Sequence, residues 1–274
     1  MLLRWLDKTT LPVEMDHLTP ETFFGLSAGE ASSLSVNVGN QRARLGDLFS
    51  VSTRDEDGLT LEGDLRHVRG IGRGMGRGTL EVRGRAGTGV GAGMTGGVLT
   101  VHGDVEDWAG AEMRGGLLRV HGSAGRFLGA SAPGGRIGMR DGVILVDGSV
   151  GDEAGRKMRR GLIAVGGAAG PWFGRSLIAG SLFAFGPLGR YPGAGMKRGT
   201  VAAFGPDPVE VLPSFAPSGR FRFPFLTVYL RQLAGWGFPV PAEVFSAPMG
   251  RYNGDLADGG RGEILARGGS IGAD

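Results

Sequence analysis

The chain has 274 residues, of which 55 are Gly and 41% are hydrophobic, and a formal charge of +3 from 30 basic and 27 acidic residues. Gly is far above its usual share of ~7%, yet the apolar content suffices to bury a core, which excludes a disordered low-complexity chain, and Gly does not recur at every third position, which excludes collagen. With no Cys, disulfides, cysteine-ligated zinc, iron–sulfur clusters and thiol nucleophiles are excluded together, and so small a net charge does not imply nucleic-acid binding.

The first residues, MLLRWLDKTTLPVEM, lack the apolar stretch of about 7–15 residues and the cleavage site of a signal peptide. No window approaches ~18 uninterrupted apolar residues, so no membrane span is expected and a soluble cytoplasmic protein is the default. Thr19-Pro20-Glu21 reads as a short helix start. Gly25-Leu26-Ser27-Ala28-Gly29 spells a nucleophile-elbow motif. That motif needs a strand before it and a helix after it, and the preceding PETFF reads as a helix start, so the context argues against a catalytic serine.

From residue 59 onward a repeat takes over. LTLEG (59–63), LEVRG (80–84), LTVHG (99–103), LRVHG (118–122), ILVDG (144–148), IAVGG (163–167), LFAFG (182–186) and VAAFG (201–205) each carry apolar residues two apart and end in Gly. Their starts are separated by 21, 19, 19, 26, 19, 19 and 19 residues. Gly78, Gly97, Gly116, Gly142, Gly161, Gly180 and Gly199 stand two residues before a run. Three residues earlier come Met75, Met94, Met113, Met139, Met158, Leu177 and Met196, and three before those Gly72, Gly91, Gly110, Arg136, Gly155, Gly174 and Gly193.

A period of 19 is too short for a βαβ unit of ~30 residues. It fits one coil of a parallel solenoid, with equivalent residues stacked at ~4.8 Å. The fold class expected is all-β: a right-handed parallel β-helix of about seven coils with non-repetitive caps. The runs from Leu80 to Val201 and from Val82 to Ala203 face inward, and the Met column fills irregular space beside them. The 26-residue step carries a seven-residue insertion within 123–141, around 130–135, which should bulge without breaking the stack. The division expected is an N-terminal cap over 1–57, repeats over 58–205, and a C-terminal cap over 206–274 with one short helix.

Three features of the repeat bear on chemistry. Gly91-Ala92-Gly93-Met94-Thr95-Gly96 resembles a phosphate loop, but no helix follows it, and its glycines read as coil corners. His102, His121 and Asp147 share one outward column; they are either a polar ladder or converge on a metal. His17 and His67 have no partner apparent in the sequence. The column after Met holds Arg114, Arg140, Arg159 and Lys197, with Lys157, Arg160 and Arg198 beside it. Stacked like charges cost stability unless anions answer them. Arg forks bind carboxylates bidentately, so the column either splays into water, pairs with a partner's acids, or tracks an extended polyanion. No catalytic constellation remains, and neither a catalytic residue nor a metal site is expected.

Toward the end, Phe183, Phe185 and Phe204 replace the polar outward residues of earlier coils, so the tail or another protein must cover them. The segment PFLTVYLRQLAGWG (224–237) has Leu226, Tyr229, Leu230 and Leu233 at helical spacing, closed by Gly235.

The repeat resembles the Gly-x-Gly-x-Gly β-helix domain of the glutamate synthase large subunit, and more closely the C-subunit of formylmethanofuran dehydrogenases. GNQRARLGDLFSV (39–51), GDLRHVRGIGRGM (63–75), SAGRFLGASAPGGRIGMRDG (123–142), MRRGLIAVGG (158–167), MKRGT (196–200) and RYNGDLADGGRGEIL (251–265) carry the resemblance. It implies a non-catalytic subunit of a hetero-oligomer. One relative is the bacterial formyltransferase/hydrolase complex, in which a formyl group passes from tetrahydromethanopterin to a methanofuran-type carrier and a zinc-type hydrolase releases formate. The other is the tungsten or molybdenum dehydrogenase. The Arg-rich, Lys-poor composition points to the first. The partners implied are formyltransferase, hydrolase and dehydrogenase-like subunits, with no nucleic acid and no membrane. The family's carriers bear glutamate chains, which suggests Arg114, Arg140, Arg159 and Lys197 as residues guiding the carrier at the surface. A glutamate-synthase-like spacer domain is the third possibility. An assembly protein of this kind is also expected to behave poorly alone, its Phe-bearing coils uncovered.

Overall fold

A computed structural model describes residues 1–53 and 58–269; the expected boundary at residue 57 lies outside the described residues. The head holds strands β1 (Leu2–Trp5) and β2 (Val13–Glu14), helices α1 (Pro20–Phe23) and α2 (Ala28–Ser32), strands β3 (Ser35–Val38) and β4 (Gln41–Arg44), helix α3 (Leu45–Leu48) and strand β5 (Phe49–Ser52). The repeats supply β6 (Leu59–Glu62), β7 (Val68–Arg69), β8 (Thr79–Arg83), β9 (Thr95–Val101), β10 (Arg114–Val120), β11 (Asp141–Val146), β12 (Leu162–Val165), β13 (Ser181–Ala184) and β14 (Arg198–Ala203). The tail adds β15 (Ala216–Phe221), α4 (Pro224–Gly235), β16 (Met249–Gly254) and β17 (Arg261–Ala266). No helix among the described residues is long and apolar enough to cross a membrane.

The chain is all-β in character, built on a large, mostly parallel sheet. Its order is β15-β16-β17-β14-β13-β12-β11-β10-β9-β8-β6-β1-β5, parallel from β17 to β1 and antiparallel at both ends. A small second sheet runs β4-β3-β2-β7. In the large sheet Leu80, Leu99, Leu118, Ile144, Ile163, Leu182 and Val201 are successive register partners, and all are fully buried. A second parallel ladder of single bridges joins Leu65, Ala86, Val105, Ala124, Val150, Ala169 and Leu188. Equivalent residues of successive repeats are therefore hydrogen-bonded neighbours at two separate places around the repeat. Each terminal segment lends this sheet a parallel strand: β1 pairs with β6 and β17 with β14, Ile264 standing beside Val201. The last is not legible as a repeat because 63 residues separate the two.

The Gly-x-x-Met-x-x-Gly spacing has a packing cause. Met75, Met94, Met113, Met139, Met158 and Met196 are all fully buried. A β-carbon on Gly97, Gly161 or Gly180 would stand 2.6, 2.7 and 2.9 Å from the methyl of Met75, Met139 and Met158, the thioether of the preceding repeat. These glycines also hold φ of +77°, +100° and +111°. Each methionine thus rests on a glycine that can carry no side chain.

At a further corner the expectation needs correcting. The column placed on Arg136 belongs to Gly129: its N–H bonds the Ala109 carbonyl, as the Gly110 N–H bonds that of Val90. A β-carbon there would meet Ile163 at 2.7 Å, as one on Gly110 would meet Ile144 at 2.4 Å. The insertion therefore lies between Gly129 and Met139, and beyond it β10 and β11 pair in register from Leu117 with Val143 to Val120 with Val146, after an irregularity between Arg114 and Leu117. Counting back from Met misplaces the glycine because the extra residues fall between the two.

The tail packs on the outer face of the large sheet. Leu226, Leu230 and Leu233 of α4, with Phe238 and Val244, form a second core with Leu145, Leu162, Ala164, Phe183, Ala202 and Phe204. Phe183 and Phe204 are thereby buried. Their cover comes from this chain itself, so isolation would not uncover them, contrary to expectation. The helix ends at Gly235 as expected; Trp236 is the C-cap, and it is Gly237, at φ +73°, that supplies the left-handed residue. In the head, Thr19 is the N-cap of α1 as expected. Ser27 is the N-cap of α2, its Oγ accepting from the Glu30 N–H while Glu30 Oε2 accepts from the Ser27 N–H. That capping box explains the Gly25–Gly29 motif without a nucleophile.

Candidate anion site on the outer edge

The cationic column is held by the backbone. The N–H groups of Arg114, Arg140, Arg159, Ile178 and Lys197 donate to the carbonyls of Met94, Met113, Met139, Met158 and Leu177, at 2.6 to 2.8 Å. These residues are therefore consecutive rungs, interrupted only by Ile178, with about 4.8 Å between neighbours. All four cations are exposed. Their side chains have no hydrogen-bond or ion-pair partner among the described residues, whereas Arg83, Arg126 and Arg175 are paired with Glu81, Asp107 and Glu153. Lys157 is set aside from the column, its Nζ donating to the Gly135 carbonyl of the insertion at 3.1 Å.

At Arg159 and Ile178 the column borders a cleft of about 660 Å³ between the large sheet and α4. Arg159, Arg160 and Arg198 stand on one side, and Tyr229 and Gln232 of α4, with Trp236 at its cap, on the other. Val143, Leu162 and Ile178 contribute apolar surface, and Asp141 also reaches it, its Oδ1 accepting the Gly142 N–H at 2.8 Å. Helical spacing groups Tyr229 with the buried residues of the helix. Its ring meets Phe183 of the sheet edge-on at 5.3 Å and it also lines the cleft; no periodicity in one segment shows which other segment it will face.

The histidines form a different surface. His102 Nε2 lies 2.8 Å from Glu81 Oε1, His121 Nδ1 lies 2.8 Å from Asp147 Oδ2, and the two rings stack at 5.1 Å. Asp147 also accepts from Arg119, which donates to the Gly237 carbonyl and lies over the Phe238 ring. Each imidazole is thus engaged with its own carboxylate, and no group of three His, Asp or Glu converges for a metal among the described residues. The arrangement is a polar ladder that ties the start of the tail's return to the sheet. Gly91 and Gly93 lie between β8 and β9, at φ +63° and +68°, and a strand follows them.

No protein-family model matches the chain. Among curated relatives, it is 38% identical over 79 residues to the C-subunit of the molybdenum-containing formylmethanofuran dehydrogenase 1 of Methanothermobacter marburgensis, covering 28% of this chain and 20% of that protein. It is 33% identical over 75 residues to the C-subunit of the formyltransferase/hydrolase complex of Methylorubrum extorquens, covering 27% and 28%. The chain thus spans less than a third of the length of these relatives in the matched segments. A crystal structure of the formyltransferase/hydrolase complex from Methylorubrum extorquens, in complex with methylofuran, contains a chain similar over nearly the whole length: TM-score 0.85, 30% identity, 97% of this chain and 99% of that one.

Proposed function

The chain belongs to the C-subunit family of formylmethanofuran dehydrogenases, and from that premise we propose that it is a non-catalytic subunit of a one-carbon transfer complex. In that complex a formyl group moves between tetrahydromethanopterin and a methanofuran-type carrier and leaves as formate, and the partners are a formyltransferase and a zinc-type hydrolase. The observation that carries this reading is the likeness, across almost the full length of both chains, to a chain of the methylofuran-bound complex. The 38% identity to a molybdenum enzyme's subunit favours the dehydrogenase as second reading.

The fold suits such a role. We infer a right-handed parallel β-helix of about seven coils, with residues 1–57 and 206–274 as caps. The two parallel ladders in register support it, and the strong right-handed preference of parallel crossovers gives the hand. A stack of this kind is a rigid spacer whose length is set by the number of repeats. The unpaired column of Arg114, Arg140, Arg159 and Lys197 is the surface on which the carrier's polyglutamate chain would run.

Affinity purification of the tagged chain from its own cells tests the assignment. Copurifying formyltransferase and hydrolase subunits, with formate released from the formyl donor, is the expected result. A partner holding a pterin–metal centre would move the chain to the dehydrogenase, and a chain that purifies alone would end both readings. In the assembled complex, Arg114→Glu together with Arg140→Glu should raise the KM for the carrier several-fold, more at low ionic strength than at high. Unchanged kinetics in an intact complex would remove the carrier track.

A further inference from the structure

The cleft under α4 has a chemistry of its own and shares only Arg159 with the carrier track. Its volume of about 660 Å³ lies within the range of small-molecule sites, about 300–1,000 Å³. Arg159, Arg160 and Arg198 line it, and none has a side-chain hydrogen-bond or ion-pair partner among the described residues. Three cations gathered in one cleft, against a single acid among the described residues, are stabilised by a bound anion, and planar guanidinium forks match carboxylates. Asp141 is the only acid that lines the cleft among the described residues, and one of its oxygens is already taken by the Gly142 N–H.

The remaining walls fix the body of the ligand. Tyr229 and Trp236, 36% and 38% exposed, both line the cleft, the Tyr229 ring meeting Phe183 edge-on at 5.3 Å, and Leu162 and Ile178 add apolar residues on the sheet side. Gln232 lies between the two in sequence, on the same wall, and offers an amide donor and acceptor. A flat apolar body between aromatic rings and aliphatic side chains, with its carboxylate end on the arginines, satisfies every wall. We propose that this cleft is a binding site for a small molecule with a planar apolar body and one or two carboxylates.

The test uses 4-aminobenzoyl-glutamate, which joins a ring to two carboxylates, against the full chain with whatever partner proteins copurify. Binding is read by calorimetry and by quenching of Trp fluorescence. The expected result is saturable binding, at least tenfold weaker for 4-aminobenzamide, which has the ring alone, and for glutamate, which has the carboxylates alone. Arg160→Ala and Arg198→Ala should each weaken binding at least tenfold, Arg198→Lys less so, and Trp236→Phe should abolish the quenching. Arg160 and Arg198 are exposed, and melting temperatures within a few degrees of the parent will show that the variants fold. Equal binding of the neutral ring, affinity unmoved by either Ala substitution, or no binding at millimolar probe would each overturn the site. Arg114→Glu with Lys197→Glu disables the track and leaves the cleft, so the two ideas fail separately.

Discussion

Gly161 carries a φ of +100°, and a β-carbon there would stand 2.6 Å from the Gly142 carbonyl oxygen as well as 2.7 Å from the Met139 methyl. Backbone cannot retreat as a flexible side chain can, so Gly161→Ala should cost about 2–3 kcal/mol, from strained φ and overpacking together. Gly93, at φ +68° with nothing within 4 Å of a β-carbon, has only the conformational cost, about 1 kcal/mol for Ala. Urea unfolding of the two variants checks the difference; equal losses would mean that stacking does not set the glycine requirement. The same distinction explains Trp108, Phe127, Glu153, Trp172 and Tyr191, which hold φ from +56° to +64° at the position that Gly70 and Gly89 fill in the first repeats. There the backbone demands a left-handed residue, and in the later repeats a side chain is accommodated, whereas a β-carbon on Gly70 would meet Asp16 Oδ1 at 2.2 Å. Trp108 stacks on Phe127 at 4.8 Å, and Arg175 lies over Trp172 at 5.1 Å. Stacking of ~0.5–1.5 kcal/mol offsets most of a left-handed penalty of ~1–2 kcal/mol.

Among the elements, α4 does two things at once. Its buried stripe of Leu226, Leu230 and Leu233 closes the outer face, and beside that stripe Tyr229 and, at the cap, Trp236 line the cleft. Leu230 is 1% exposed against Phe183 and its neighbours. Leu230→Ala should therefore cost about 2–4 kcal/mol through lost burial and a residual cavity, and raise dye binding to the uncovered sheet. Val228, 70% exposed on the same helix, should move stability by no more than about 0.5 kcal/mol when cut to Ala. Thermal and denaturant melts of both variants separate a helix that seals the sheet from one that merely lies near it. The helix itself is legible from Pro224 and the leucine spacing; its left-handed terminator and its neighbours are not, because Gly235 and Gly237 are equally good terminators in sequence and only the packed turn selects one.

Across the whole molecule, the head is joined to the repeats by Glu21, whose Oε1 accepts the N–H groups of both Gly76 and Arg77 at 2.8 Å. Burial pushes this carboxyl up, but the hydrogen bonds it accepts from backbone N–H groups and Thr19 outweigh that and hold it below its ordinary value of 4.5. Asp64 and Glu81 are likewise held low, by hydrogen bonds from Arg66 and Arg83. A carboxylate with a lowered folded pKa contributes stability that is complete above its unfolded pKa and is lost as pH falls through the folded one. The protein should accordingly lose stability below about pH 4.5, and Glu21→Gln should remove part of that acid dependence while leaving the slope near neutrality unchanged. Melting curves between about pH 2.5 and 7 measure it; an acid limb identical to the parent's would show that Glu21 does not join head to repeats. The repeat period, the inward columns and the buried methionines are readable from the amino-acid order alone, because equivalent residues meet equivalent neighbours and composition repeats with structure. So are the stacked cations, since their register follows from the same period. Three things come from packing between segments far apart in the chain: β17 joining β14, the tail covering Phe183 and Phe204, and the cleft that α4 makes with Arg160 and Arg198. No local pattern encodes these, because which surface a helix or returning strand covers depends on the shape left by the rest of the chain.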